Sequence, residues 1–398
     1  MAFQAFALVN RAPIAIKVIV KREFPQTCLH QRCSFPIRLF ERRGQVLHHP
    51  AEITPDELTQ AMQWLQQLRS PQERFPGAGC PRSERACGSA GYKHRMILSN
   101  TRSTILPAAP SVPIELPDEA QAMLKTAVRV ETPCGASSMV WHVWGEASHS
   151  QALAPVVLFH GGSGSWTHWL RNIPALVESG RRVYVPDLPG FGDSAAPLHG
   201  TDADVVTAPV EQGLKLLLDD TACDLVGFSF GGMVAGFIAE QFPARASRLV
   251  LVGAPGLGVT PKNPFQLSAW RHLTDPEQRD AVHRNNLAAL MLYRPDAISE
   301  LALRLHVANV LRDRMKGRSL SRTDVLARSL TRVRRPIHAI YGSEDALYQE
   351  KMDAMETVLR QAANFRTMTL LEACGHWAQF ERADAFNEAL LAALNAPL

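Results

Sequence analysis

Ser229 sits in the run Asp224-Leu225-Val226-Gly227-Phe228-Ser229-Phe230-Gly231-Gly232, where a short apolar strand signal breaks into a helical one. A serine on such a turn is a candidate nucleophile for attack on a carbonyl. The glycines two before and two after it have a steric reason, because a tight strand-to-helix turn presses those positions against neighbouring backbone. The hydroxyl is thereby exposed, and the following helix aims its free amides at whatever the oxygen attacks. Taken alone, a Gly-x-Ser-x-Gly pattern arises by chance in roughly one chain of this length in seven, given glycine near 7% of residues. Context supplies the specificity: Cys223 to Val226 read as a strand, and Met233, Val234, Phe237 and Ile238 recur at helical spacing until Pro243.

A serine needs a base, and the base needs an orienting acid, both on loops at the carboxyl ends of later strands. The apolar run Ile337 to Tyr341 ends in Gly342-Ser343-Glu344-Asp345, which makes Asp345 the candidate acid and Glu344 the runner-up. A helix N-cap before Leu347 is the plainer reading of that carboxylate. Thr367 to Glu372 leads into Cys374-Gly375-His376-Trp377, so His376, past the final strand, is the candidate base. Val156 to Phe159 runs into His160-Gly161-Gly162-Ser163-Gly164-Ser165, where the amides of Gly162 and Phe230 are the candidate oxyanion donors. A phosphate-binding loop is a poor account of those glycines, since neither a Lys-Ser/Thr pair nor Gly-x-Gly-x-x-Gly spacing is present. His160 itself reads as structural.

The elements that must position these residues alternate. Arg129 to Thr132, Ser138 to Trp144, Ala154 to Phe159, Arg182 to Pro186 and Leu249 to Gly253 read as strands; Trp169 to Ser179 and Asp204 to Leu218 read as helices. The expected class is α/β, a mostly parallel sheet covered by helices on both faces. Residues 259–333 offer helices such as Asp275 to Leu292 and Ala297 to Arg314 but no buried strand, which predicts an inserted helical lid. Alternation resumes with Pro336 to Tyr341, Lys351 to Ala362, Met368 to Leu371 and Ala383 to Leu394. The core is thus split into 111–258 and 334–398. Residues 1–110 read as a basic, Pro- and Cys-rich, poorly ordered extension in which only Thr54 to Leu68 resembles a capped helix.

The chain has 398 residues, 46% of them hydrophobic, enough for a sizeable core. Its net charge of +4 is uneven: residues 1–105 carry 15 Lys plus Arg against 7 Asp plus Glu, and the remainder 27 against 31. The main body is slightly acidic, so no nucleic-acid partner is expected. No apolar run suits a membrane span and no signal peptide is evident, which predicts a cytoplasmic protein without membrane contact. The seven cysteines include no Cys-x-x-Cys pair, and Cys28, Cys33, Cys80 and Cys87 with His30 or His94 fit no standard zinc module. No metal and no organic cofactor are expected.

With strand, elbow, acid and histidine in this order, residues 125–398 resemble the α/β-hydrolase family, its serine hydrolase branch. Asp187-Leu188-Pro189-Gly190-Phe191-Gly192-Asp193-Ser194 is similar to the loop after that family's fourth strand, and Asp187 and Asp193 read as structural. Cys374-Gly375-His376-Trp377-Ala378-Gln379-Phe380-Glu381, with Trp166 and Arg171-Asn172-Ile173, resembles the meta-cleavage product hydrolases, which break a carbon-carbon bond in vinylogous diketo acids. That resemblance implies that Trp377 lines the substrate pocket. Phe228 stands where the family commonly has asparagine, and His168 corresponds approximately to its oxyanion-side asparagine. The family holds the substrate carboxylate with a lid arginine, and Arg304 or His306 falls near that place among ten Arg or Lys between Arg304 and Arg335. Phe228, Trp377, His168 and Arg304 are thus the expected substrate-binding residues.

The expected partner is a small acyl or keto-acid substrate, with the oligomeric state open and a homodimer compatible. The expected reaction is hydrolysis through an acyl-enzyme, of a carboxylic ester first and of a carbon-carbon bond as the alternative. A non-catalytic ligand receptor of the same fold is the reading from another class.

Overall fold

A computed structural model describes residues 115–146, 153–259 and 265–398, and the backbone of three short strands further upstream. The chain divides into two compact units, Met1–Ser103 and Thr104–Leu398. In the first, β1 (Ile14–Ala15), β2 (Leu39–Glu41) and β3 (Val46–Leu47) form an antiparallel sheet in that order. The helix expected over Thr54 to Leu68 and the four upstream cysteines lie outside the described residues.

The second unit holds an eight-stranded sheet. Its strands are β4 (Val128–Cys134), β5 (Ser137–Trp144), β6 (Val156–Phe159), β7 (Val183–Pro186), β8 (Cys223–Phe228), β9 (Ala246–Val252), β10 (Ile337–Gly342) and β11 (Phe365–Leu371). They lie in the order β11-β10-β9-β8-β6-β7-β5-β4. The β4–β5 hairpin and the β5–β7 pair are antiparallel; every other pairing is parallel. β8 is central, so both its faces are covered: Cys223 and Leu225 join one apolar cluster, Val226 and Phe228 the other. A run apolar apart from Asp224, rather than strict alternation, follows from that double burial.

Helices cover both faces. On one lie α3 (Ala203–Leu218) and α4 (Phe230–Gln241), with Val206, Val210, Met233 and Phe237 in the cluster. On the other lie α2 (Ile173–Glu178) and α10 (Ala383–Asn395), with Ile173, Leu176, Phe386 and Leu390. α4 is buried along most of its surface and so reads apolar throughout, where an amphipathic helix would show a polar stripe. α1 (Asp118–Lys125) precedes β4, α8 (Met352–Leu359) connects β10 to β11, and the short α9 (Ala378–Glu381) lies between β11 and α10.

Between β9 and β10 the described residues form helices and no strand. Asp275 accepts from the Glu277 N–H and caps α5 (Pro276–Asn286), which continues as a wide turn over Leu287–Met291. Ser299 accepts from the Ala302 N–H and caps α6 (Glu300–Leu311), three residues inside the expected start at Ala297. α7 (Val325–Leu330) follows. β11 begins at Phe365, ahead of the expected Met368, because an edge strand keeps Arg366 and Thr367 exposed and lacks the apolar alternation that marks a covered one. Among the described residues no helix is long and apolar enough to cross a membrane.

Candidate active site

Ser229, between β8 and α4, has φ 50° and ψ −117°, a backbone region that a side chain rarely adopts. The flanking glycines meet the demand read from the sequence. A Cβ on Gly227 would lie 2.3 Å from the Gly231 carbonyl oxygen, and one on Gly231 would lie 2.4 Å from that of Phe159. Ser229 is half-buried, while Phe228 and Phe230 on either side of it are buried.

The carboxyl end of β10 and the loop after β11 meet backbone to backbone, since a Cβ on Gly342 would lie 2.2 Å from the Cys374 carbonyl oxygen. That contact delivers Asp345 and His376 to the same sheet edge as Ser229. His376 Nδ1 lies 2.8 Å from Asp345 Oδ2, and its Nε2 lies 2.9 Å from Ser229 Oγ. With Nδ1–H donating to the carboxylate, the Nε2 lone pair is left to accept the serine proton. Asp345 is fully buried, and its other oxygen accepts the Leu347 N–H at 2.9 Å within a turn; no helix begins there, so the expected helix N-cap is replaced by a local turn contact beside the bond to His376. Glu344 reaches only the Ser343 hydroxyl, at 3.4 Å. Burial pushes the Cys374 thiol far up, which removes it as a competing nucleophile.

The loop after β6 packs on the elbow: a Cβ on Gly161 would lie 2.8 Å from the Phe228 ring and 3.2 Å from Ser229 Cβ. Phe230 opens α4, where the first amides have no partner within the helix. Asp187 accepts from the Trp166 N–H at 2.8 Å and the Asp193 N–H at 2.9 Å, tying the β6 and β7 loops together. Asp193 in turn pairs with Arg312 at 3.1 Å.

The side chains around the serine are aromatic and neutral. The Phe228 ring stands 4.9 Å from His376 and 5.3 Å from His168, and the Trp377 ring stands 5.0 Å from His168. Trp377 donates its indole N–H to the His168 carbonyl at 3.1 Å and stacks on Phe380 at 4.2 Å. Burial, aided by the nearby His160, His306 and His376, holds the His168 pKa well below 6.5, so its ring is uncharged at neutral pH. His306 is likewise held to about 4 by burial and packs edge-on against His283 at 5.2 Å.

Arg304 stands apart from this group, contrary to the expectation of a substrate contact. Its guanidinium pairs with Asp280 at 2.7 Å and Glu300 at 2.6 Å and is 46% exposed. At position 304 of α6 the acidic neighbours on the same outer face capture the cation. A basic residue at the loop after β6 is Arg318, which nothing in the spacing of the ten cations between Arg304 and Arg335 distinguished; Arg312 also reaches that loop, at Ser165 Oγ, 3.4 Å away. The Arg318 guanidinium would touch a Cβ on Gly162 at 3.3 Å and lies 5.2 Å from the Phe191 ring centroid. Its Nη2 donates to Ser163 Oγ at 3.2 Å and Asp313 Oδ2 at 3.1 Å, while Nη1 is buried without a partner.

A family model described as the alpha/beta hydrolase family matches residues 156–389. The 2-hydroxy-6-oxo-6-phenylhexa-2,4-dienoate hydrolase of Burkholderia cepacia is 28% identical over 250 residues, covering 59% of this chain and 86% of that protein. A 2-hydroxy-6-oxononadienedioate/2-hydroxy-6-oxononatrienedioate hydrolase of Pseudomonas putida is 27% identical over 250 residues, with 59% and 86% covered. Among solved structures, a meta-cleavage product hydrolase from Pseudomonas fluorescens superposes with a TM-score of 0.53 at 23% identity, covering 67% of this chain and 97% of that one. A carboxylesterase from Bacillus subtilis superposes with a TM-score of 0.57 at 16% identity, with 70% and 96% covered.

Proposed function

The chain belongs to the alpha/beta hydrolase family, and from that premise we propose that it is a serine hydrolase working through an acyl-enzyme. The observation that carries this reading is the continuous contact from Asp345 through His376 to Ser229, at 2.8 and 2.9 Å. In this mechanism Ser229 Oγ attacks the substrate carbonyl as its proton passes to His376 Nε2. The carbonyl electron pair moves to an oxyanion held by the Gly162 and Phe230 amides, and His376 then protonates the leaving group. Water, activated by the same histidine, resolves the acyl-enzyme. Asp345 keeps the imidazole in the tautomer that can accept and stabilises its charged form.

The bond we assign first is a carboxylic ester. Phe228, Trp377 and the uncharged His168 suit a neutral substrate, and Arg304 is committed to Asp280 and Glu300. The second reading is carbon-carbon cleavage of a keto acid. It is favoured by the named activities of the bacterial relatives and by the unpartnered Arg318 Nη1, which could hold a carboxylate beside the oxyanion loop. Fluorophosphonate labelling tests the mechanism: the wild type should label and Ser229→Ala should not, and a wild type that never labels would sink it in favour of a ligand receptor. A panel of aryl esters of graded length with one vinylogous diketo acid tests the bond, and turnover of the diketo acid alone would replace the ester reading.

A further inference from the structure

The backbone of Gly161 lies between two histidine rings, one holding its N–H and the other its C=O. His160 Nε2 accepts the Leu188 N–H at 2.8 Å, so the proton of this ring is on Nδ1, which lies 2.8 Å from the Gly161 carbonyl oxygen. His168 is the reverse. Its Nδ1 lies 3.2 Å from the Gly161 N–H and must present a lone pair, which puts the proton on Nε2. One glycine therefore has its acceptor and its donor held by neutral imidazoles in opposite tautomers.

Neither ring is free to turn. His160 stands edge-on to Phe191 at 5.2 Å, and His168 is wedged between Phe228 and Trp377. A Cβ on Gly164 would lie 2.3 Å from His168 Cε1, so the loop must return as glycine to admit the ring. Ser163, between the clamped peptide and that glycine, has φ 51° and donates its hydroxyl to Asp313 at 2.5 Å. Both rings are buried and neutral: His160 is held to about 4, burial outweighing the nearby Asp187. A proton on His168 Nδ1 would set N–H against N–H and release the glycine.

We propose that His160 and His168 form a clamp that aims the oxyanion hole: fixing the N–H and the C=O of Gly161, whose carbonyl shares one planar unit with the Gly162 N–H, directs that amide at the oxygen charged by Ser229 attack. This rests on the serine hydrolase reading. It makes His168 a positioning residue for the transition state. The clamp exchanges no proton during the reaction, and its contribution is to hold a dipole that would otherwise have to reorganise.

The test uses the full chain, p-nitrophenyl butyrate as substrate, and a trifluoromethyl ketone beside the methyl ketone of equal length. The trifluoromethyl ketone adds Ser229 to form a hemiketal whose oxyanion occupies the hole, whereas the methyl ketone reports ground-state binding. His168→Phe keeps a ring but lacks the acceptor, and His168→Asn offers a side-chain oxygen in its place. His168→Phe should lose about 10²-fold in kcat with KM changed less than about threefold. Its affinity for the trifluoromethyl ketone should fall by the same factor while methyl ketone binding holds, and His168→Asn should recover most of the loss. Nitrogen NMR of the wild type, which needs neither turnover nor a folded variant, should find His168 protonated on Nε2 and His160 on Nδ1. Either ring in the other tautomer, or a His168→Phe that raises KM alone and keeps the trifluoromethyl ketone, overturns the clamp. A wild type with the expected tautomers but no fluorophosphonate label instead overturns the reading of Ser229, so the two failures are distinguishable.

Discussion

The two ends of β8 solve opposite problems with charged and polar groups. At its start Asp224, 1% exposed, lies 3.0 Å from Arg181 and 3.0 Å from Arg248. Those arginines also reach the carbonyls that end α10: Arg181 that of Leu394 at 3.0 Å, Arg248 those of Ala393 at 2.8 Å and Ala396 at 3.0 Å. Cations at a helix C-terminus complement its dipole, so this cluster fastens the last helix to the sheet. Just past its finish, five residues on from Asp224, Ser229 holds a strained backbone and a hydroxyl aimed at a histidine. The first end commits each charge to partners that nothing displaces; the second leaves amides and a lone pair uncommitted. Stability and chemistry are thus separated along one strand.

The contrast breaks most sharply if Ser229→Ala keeps its activity. The expected result is a loss of about 10⁶-fold in kcat on an aryl ester, with unfolding free energy within about 0.5 kcal/mol of wild type in urea titration. Asp345→Asn should cost about 10⁴-fold in kcat, because the amide favours the wrong imidazole tautomer. At the opposite end, Asp224→Asn leaves two buried guanidiniums uncompensated and should destabilise the fold by about 3–5 kcal/mol. Its kcat per folded molecule should not change, and a kcat that falls in step with stability would join the two ends after all.

Acid sharpens the comparison further. Burial depresses the His160 pKa to about 4 from 6.5, so between those values the unfolded chain binds more protons than the folded one. The stability attached to His160 is complete above pH 6.5 and drains away as the pH falls toward 4. The stability gap between wild type and His160→Asn should therefore shrink by about 2 kcal/mol from pH 7 to pH 5, as read from urea midpoints. The smallest effect belongs to Arg304→Ala. An exposed pair contributes under about 1 kcal/mol, so activity and KM should stay near wild type. A large rise in KM would return Arg304 to the substrate.

The sheet was legible because a central parallel strand and its crossover helices write their burial into local composition: Val156 to Phe159, Leu249 to Val252 and Ile337 to Tyr341 are apolar runs wherever they are read. The edge strand β11 was legible only in its second half, where Leu370 and Leu371 stand, since solvent accepts any residue on its outer positions. The serine, aspartate and histidine were legible for a related reason. Each follows a strand end, and a sheet edge is a place that sequence order can specify.

What the sequence determined by itself is the fold class, the order of strands and helices, and the residues a turn must carry, because these depend on local sterics and on the period of burial. The tertiary structure alone decided which of the ten cations between Arg304 and Arg335 reach the loop after β6, Arg318 and Arg312 and not Arg304, because a side chain's direction depends on the acids and rings that converge on it from distant segments. It also decided the tautomers of His160 and His168, since each is set by a hydrogen-bond partner rather than by the histidine's place in the chain.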